Sequence, residues 1–170
     1  MIDKWLDLTA KFTFEGQTFA IRSVQASDIE TLRIWKNANR KFFHFQDEIN
    51  PEQQKKWFAQ FQNDAKKQIY VCSTNEENET NRLIACVGFK EHSRQSVELF
   101  NLICGDETYA GKGFIRAFFE NVKMGLRAKK IEEIILEVLK SNTRAIEWYK
   151  RQGFAQYGEE ETFYRMRLKI

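Results

Sequence analysis

Two segments of the chain carry residue types and spacings that could do chemistry. The first is the turn Thr108-Tyr109-Ala110-Gly111-Lys112-Gly113, which follows an apolar run and opens an amphipathic stretch. A turn in that position presents unpaired backbone N–H groups beside the positive end of a helix, an arrangement that holds phosphate. Its glycines let an anion approach because no Cβ stands in the way, and Lys112 either adds charge or simply points to water. It has neither the Walker spacing nor the third glycine of a dinucleotide fingerprint, and such a turn by itself is more often just a tight turn. The second segment, residues 142–154, runs Asn-Thr-Arg-Ala-Ile-Glu-Trp-Tyr-Lys-Arg-Gln-Gly-Phe. Tyr149 stands seven positions after Asn142, two helical turns, so both fall on one side of a short helix. An amide there can bond a ligand amide, and a phenol of pKa about 10 can protonate a thiolate whose parent thiol titrates at about 8.5. The same two residues also read as a helix cap and a core tyrosine.

Amide formation needs a group that takes a proton from an ammonium ion. Glu98, between Val97 and Leu99 in a strand-like run, is the first candidate. A half-buried carboxylate finds a partner or is driven to neutrality, so a salt bridge at the strand start is the alternative. Period-two alternation puts Glu98, Phe100 and Leu102 on one face and Val97, Leu99, Asn101 and Ile103 on the other. Glu137, between Leu136 and Val138, reads as structural, and His44 is a lone loop histidine. Cys72, Cys86 and Cys104 lie in apolar runs without CxxC spacing, which argues against a disulfide framework and a zinc site. No basic partner stands near Cys104 in sequence to activate it for a covalent acyl route.

The elements that must position these groups follow from periodicity and punctuation. Residues 12–24 alternate around Glu15-Gly16-Gln17, as a hairpin or a strand entered through a turn. Ser27 is a cap for a helix with Ile29, Leu32 and Trp35 on one face. After a polar and aromatic connection over 37–50, Pro51 opens a second helix with Trp57, Phe58 and Phe61 on its apolar face. Residues 68–73 and 83–89 are strands flanking a polar turn over 74–81, and 96–103 is another. Residues 114–128 form a helix, 131–139 a strand covered on both faces, and 142–152 a short helix stopped by Gly153. Two last strands span 154–157 and 162–168. The tail 162–170 could pair with a second subunit or close a cleft.

Composition narrows the function classes. A hydrophobic fraction of 42% with 14% aromatic suits a folded domain, with fifteen Phe available for a ring-rich interior or cleft. A net charge of +3 from 27 basic and 24 acidic side chains is too balanced to indicate nucleic acid. No apolar run approaches the roughly 18–20 residues that span a bilayer, and residues 1–10 do not read as a secretory signal. A cytoplasmic protein with no membrane partner and no metal is expected.

Together, in this order, the Gly-rich turn and the 142–154 segment resemble the acetyl-CoA half of the GNAT superfamily of N-acetyltransferases. The family's turn runs Arg or Gln, two variable residues, Gly, one variable residue, then Gly or Ala. Thr108 departs from it at the first position, where a long polar side chain would help hold the phosphates. The resemblance implies an α+β GNAT fold over residues 1–170, a mixed central sheet flanked by helices with strands four and five splayed. It implies acetyl-CoA as cosubstrate, contacted at Ile103, Tyr109, Ala110, Gly111, Lys112, Gly113, Phe114, Asn142, Ala145 and Tyr149. Asn142 would bind the pantetheine arm and Tyr149 would protonate the departing thiolate. Glu98 matches the strand position where some members carry a general base.

The segments 29–37 and 51–58 look like one GNAT subgroup, with a Trp-Arg-Asn string ending its first helix and Trp-Phe in its second. That subgroup acetylates amino-sugar nucleotides, as in the pseudaminic-acid pathway, ribosomal-protein N-termini or polyamines. Here Lys36 replaces the usual Arg and loses its bidentate geometry. The resemblance therefore implies transfer of acetyl to a small primary amine by direct attack, an amino-sugar nucleotide first and a protein N-terminus or polyamine second. Residues 42–45, Phe-Phe-His-Phe, could line the acceptor pocket or pack the first helix, and Arg40 or Lys41 could meet a phosphate. A non-catalytic acyl-CoA-binding regulatory protein is the rival that Thr108 favours and that Tyr149 and Glu98 oppose. A homodimer is left open.

Overall fold

The computed structural model describes residues 5–75 and 81–170. Its first two strands, β1 (Ala10–Phe14) and β2 (Gln17–Ser23), form a hairpin around Glu15-Gly16. Both turn residues have positive φ, 47° and 81°, the geometry whose twist matches that of a hairpin. Helices α1 (Ile29–Ala38) and α2 (Pro51–Gln62) follow. Ser27 does not cap α1. It lies in a short 3-10 turn whose Asp28 carboxylate takes the Gln25 N–H and both outer nitrogens of Arg22. Pro51 does open α2, behind a capping box in which Asn50 and Gln53 exchange backbone and side-chain bonds.

The remaining elements are β3 (Lys67–Thr74), β4 (Leu83–Ser93), β5 (Ser96–Cys104), α3 (Phe114–Ala128), β6 (Glu133–Leu139), α4 (Thr143–Arg151), β7 (Ala155–Glu159) and β8 (Phe163–Lys169). Residues 76–80 of the polar turn expected over 74–81 lie outside the described residues. The strands form one mixed sheet in the order β1-β2-β3-β4-β5-β6-β8-β7. Strand β8 is therefore internal, paired with β6 on one side and β7 on the other, so the tail has no free edge to offer a second subunit.

The sheet is covered on both faces. Leu32 and Trp35 of α1 and Phe58 and Phe61 of α2 pack on Ile69, Val71, Cys86 and Ile103. Phe114, Phe118, Phe119, Val122 and Leu126 of α3 and Ile146 of α4 pack on the opposite face, against Val97, Leu99, Ile134, Leu136 and Val138. Both helix pairs are amphipathic, and their buried stripes recur at helical spacing as the sequence requires.

One pairing differs in kind. Strands β5 and β6 are parallel and register only at Ser96–Glu133, Val97–Ile134 and Glu98–Ile135, after which they part. These are the splayed strands, and they are fifth and sixth in the chain because the N-terminal hairpin contributes two strands. A β-bulge bends β5 where they separate. Phe100 pairs with Gly88 and Ile103 with Cys86, leaving Asn101 and Leu102 opposite Val87 alone. Asn101 takes the left-handed conformation at φ 50°, which asparagine tolerates better than most residues. The bulge reverses the expected alternation beyond Phe100. Ile103 joins Phe100 on the α1/α2 face, and Leu102 joins Val97 and Leu99 on the α3/α4 face.

Candidate active site

The splay between β5 and β6 opens a continuous cleft of about 1010 Å³. Its walls bring together most of the residues singled out in the sequence. Ile103, Ala110, Gly111, Gly113, Asn142, Ala145 and Tyr149 line it, as do Glu98 and the 42–45 aromatic segment. Tyr109 and Phe114 stand behind the wall. Phe114 is fully buried, and the Tyr109 hydroxyl donates to Gln17 Oε1 at 2.6 Å while its ring packs on Phe19 and Phe114. Lys112 is exposed on the turn. Arg40 and Lys41 are exposed and do not reach the cleft walls, whereas Lys36 does.

The turn is built to leave donors free. Asp106 closes it, taking the Thr108 N–H on its carboxylate at 2.8 Å and the Tyr109 N–H on its carbonyl at 3.1 Å. Ala110 N–H is used by the Glu107 carbonyl at 3.3 Å. From Gly111 to Arg116 the backbone N–H groups have no partner among the described residues, and α3 has no side-chain N-cap. Gly111 and Gly113 hold φ values of 74° and 85°, and a Cβ at either would point into open space. The result is a concave row of N–H groups at the positive end of a fifteen-residue helix, fitted to a pyrophosphate. Thr108 contributes its backbone to this turn, so a long side chain at that position is not required to shape it.

Helix α4 supplies the opposite wall. Asn142 caps it, its Oδ1 accepting the Ala145 N–H at 3.3 Å, which leaves the amide nitrogen available to the cleft. Tyr149 packs edge-on against Trp148 and Phe154, and its hydroxyl makes no hydrogen bond among the described residues. Burial raises the phenol above its ordinary pKa, so it stays protonated throughout the neutral range. Three arginines also line the cleft, Arg116 in the first turn of α3 and Arg144 and Arg151 on α4. The sequence reading passed over them. Their signal was position: Arg116 follows the glycine turn by three residues, and Arg144 and Arg151 repeat at the seven-residue spacing of Asn142 and Tyr149.

The α1/α2 side of the cleft is lined by rings and charges. Glu98 sits at the root of the splay, half-exposed, with Oε2 3.8 Å from Lys90 Nζ. Glu137 is held by His44 at 3.4 Å and Arg165 at 3.6 Å, which ties the aromatic loop to β6 across the opening. The base of that loop is fastened by Asn37, which donates to the Ile49 carbonyl and accepts its N–H, both at 2.9 Å. Arg33 adds a second bond to the same carbonyl. Lys36 Nζ donates to Asn101 Oδ1 at 2.7 Å, the bulged residue of β5, and stands 3.1 Å from the centroid of the Phe43 ring. Burial pulls its ammonium down to about 8.

A lysine whose pKa falls on folding costs stability wherever it remains charged. Below pH 8 the full cost is present; it shrinks as the native state releases its proton, and it vanishes above the ordinary value of 10.5. The shift corresponds to about 3 kcal/mol. Lys36→Met is therefore expected to stabilise the protein at pH 7 by about 2–3 kcal/mol. That gain is expected to disappear by pH 10.5. Urea unfolding at both pH values measures it, and equal midpoints for variant and parent at pH 7 would contradict the assignment.

The cysteines offer no nucleophile. All three are free, burial pushes Cys86 up to about 12, and the thiols of Cys72 and Cys104 are raised by the same cause. Among the described residues no group of His, Cys, Asp and Glu could hold a metal ion, and no helix is long and apolar enough to cross a membrane.

A sequence model of the acetyltransferase (GNAT) domain matches residues 19–155. The chain belongs to the GNAT family. The GNAT fold is also shared with solved structures at low identity. Spermidine N-acetyltransferase from Vibrio cholerae, in complex with CoA and spermine, superposes with a TM-score of 0.72 at 20% identity, covering 89% of this chain and 95% of that one. The Campylobacter jejuni N-acetyltransferase PseH gives 0.66 at 21% identity, over 89% and 97%. A domain from Methanocaldococcus jannaschii gives 0.76 at 20%, over 91% and 99%. A search of curated proteins found no match. As a GNAT enzyme the protein uses acetyl-CoA, and the glycine turn and splay described above fit that cosubstrate.

Proposed function

We propose that this GNAT enzyme transfers acetyl from acetyl-CoA to a small primary amine, with an amino-sugar nucleotide as the favoured acceptor class. The observation that carries the reading is that one cleft joins the open N–H row of Gly111–Arg116, the free Tyr149 hydroxyl and a ring-lined chamber on the far side of the sheet. Acetyl-CoA supplies the activated acyl group as a thioester. The chain's own residues do the rest. The N–H row and Arg116 hold the phosphates, with Arg144 and Arg151 adding positive charge along α4. The free amide of Asn142 and the unpaired edges of β5 and β6 bond the extended pantetheine arm, in the manner of a strand inserted between them.

On the acceptor side, only a free amine can attack. Glu98, at the root of the splay, receives the ammonium proton directly or through a water. Tyr149 donates its proton where sulfur departs, and burial keeps that proton in place. Glu98→Gln is expected to lower kcat by about 100-fold while acetyl-CoA affinity stays unchanged. A kcat within a few-fold of the parent would assign proton removal to water or another group.

The acceptor reading is supported by the ring lining of the cleft's α1/α2 side and by one neighbour of the fold. One structural neighbour is described as a nucleotide-linked sugar GNAT, with a TM-score of 0.71 at 14% identity over 94% of this chain and 91% of that one. Thiol release measured with acetyl-CoA and three amine classes, amino-sugar nucleotides, polyamines and peptides with free N-termini, tests it. The sugar nucleotide is expected to give the highest kcat/KM. Preference for spermidine or a peptide would overturn the acceptor assignment.

A further inference from the structure

One cation in the acceptor half of the cleft has no counter-charge. Lys36 bonds only the neutral Asn101 Oδ1, with the Phe43 face covering another side, and no described carboxylate lies within ion-pair distance. The carboxylates of that chamber are already paired, Glu137 with His44 and Arg165, and Glu98 with Lys90. Arg116, Arg144 and Arg151, without an ion pair among the described residues, line the same cleft from α3 and α4. An ammonium carries three N–H donors. Asn101 uses one, and Lys36 lines the cleft, so donor capacity faces the acceptor space. A buried cation without a partner is costly to keep, and here it is held in place by a bulged strand residue and an aromatic ring beside the reaction site.

We propose that Lys36 seats an oxyanion of the acceptor, a carboxylate or a phosphate, so that the enzyme selects negatively charged amines over polyamines. The inference rests on the transferase reading above and narrows its substrate class. Asn101 is three positions beyond Glu98 on β5, separated from it by less than the roughly 10 Å of a fully extended strand because the bulge shortens the path. With its amine beside Glu98 and its anion at Lys36, the acceptor carries the two groups several bonds apart. An α-amino acid, whose ammonium and carboxylate share one carbon, is too short to span them.

Matched small amines test this on the intact protein. Binding of 3-aminopropyl phosphate, 4-aminobutyrate, 3-aminopropanol and spermidine to the CoA-saturated protein is measured by calorimetry, and thiol release from acetyl-CoA is measured with each. One of the two anionic amines is expected to bind about 10- to 100-fold tighter than 3-aminopropanol, the range of a charge-assisted contact. Whether the phosphate or the carboxylate leads identifies the oxyanion. Lys36→Met is expected to collapse that ratio toward one, and Lys36→Arg, which keeps the charge, to retain most of it. A ratio unchanged in Lys36→Met, or wild-type preference for spermidine, overturns the proposal. The two layers separate cleanly. Lys36-dependent binding without thiol release keeps the anion subsite and defeats the transferase reading, whereas release that is indifferent to charge and to Lys36 keeps the transferase and defeats the subsite.

Discussion

Gly111→Val is expected to weaken acetyl-CoA binding by at least about 100-fold, which calorimetry would read as loss of measurable heat. Two effects act together. Gly111 sits at φ 74°, where a β-branched residue is strained, so the turn would relax toward a different path. Any Cβ at the present geometry would also project into the open space in front of the N–H row, where a phosphate must come within hydrogen-bonding distance. The fold itself has little at stake, since Gly111 is exposed and a Cβ added there would meet no other atom within 4 Å. The thermal midpoint should therefore fall by only a few degrees, corresponding to about 1–2 kcal/mol of local strain. Retained affinity in a folded variant would show that the turn does not hold the cofactor.

Tyr149→Phe is expected to lower kcat by about 100- to 1,000-fold while CoA affinity changes by no more than about twofold. The separation follows from what the hydroxyl does in the structure. It bonds no described group, so its loss orphans nothing, and the ring keeps its contacts with Trp148 and Phe154. What disappears is the proton donor at the sulfur. Burial holds the phenol above its ordinary range, so ionisation of Tyr149 is expected to leave no alkaline limb in the wild-type profile below pH 10. A large loss of CoA affinity would make Tyr149 a structural residue of the cleft.

Sequence reading reached the elements that obey local rules. The glycine turn, the Pro51 helix start, the stop at Gly153 and the side shared by Asn142 and Tyr149 all follow from backbone preferences within a few residues. What it missed depends on contacts far apart in the chain. Strict alternation put Ile103 and Leu102 on the wrong faces because the bulge at Asn101 arises from pairing with β4, although an asparagine flanked by Leu99, Phe100, Leu102 and Ile103 was a visible irregularity. The hairpin and the single-strand readings of residues 12–24 could not be separated until Glu15 and Gly16 were seen at positive φ, and this shifted the count of the splayed strands.

In the sequence, Lys36 shows only as a replacement for the subgroup's arginine that loses its bidentate geometry. Only the approach of α1 to β5, a separation of 65 residues, shows it buried and bonded to Asn101. Asn37 likewise gave no sign that it fastens the aromatic loop, since its partner Ile49 is twelve residues away. The free and used N–H groups of the turn were equally illegible, because Asp106 decides them by closing the turn from outside the glycine motif.

Hydrogen–deuterium exchange of the intact protein with and without acetyl-CoA tests the central claim most directly, because it reports both that the cosubstrate binds and where. The structure predicts slowed exchange in two places: residues 111–116, whose open N–H groups would gain phosphate partners, and residues 142–152, along the wall that carries Asn142 and Tyr149. Exchange unchanged in both segments at saturating acetyl-CoA, or protection confined to another part of the sheet, would contradict it.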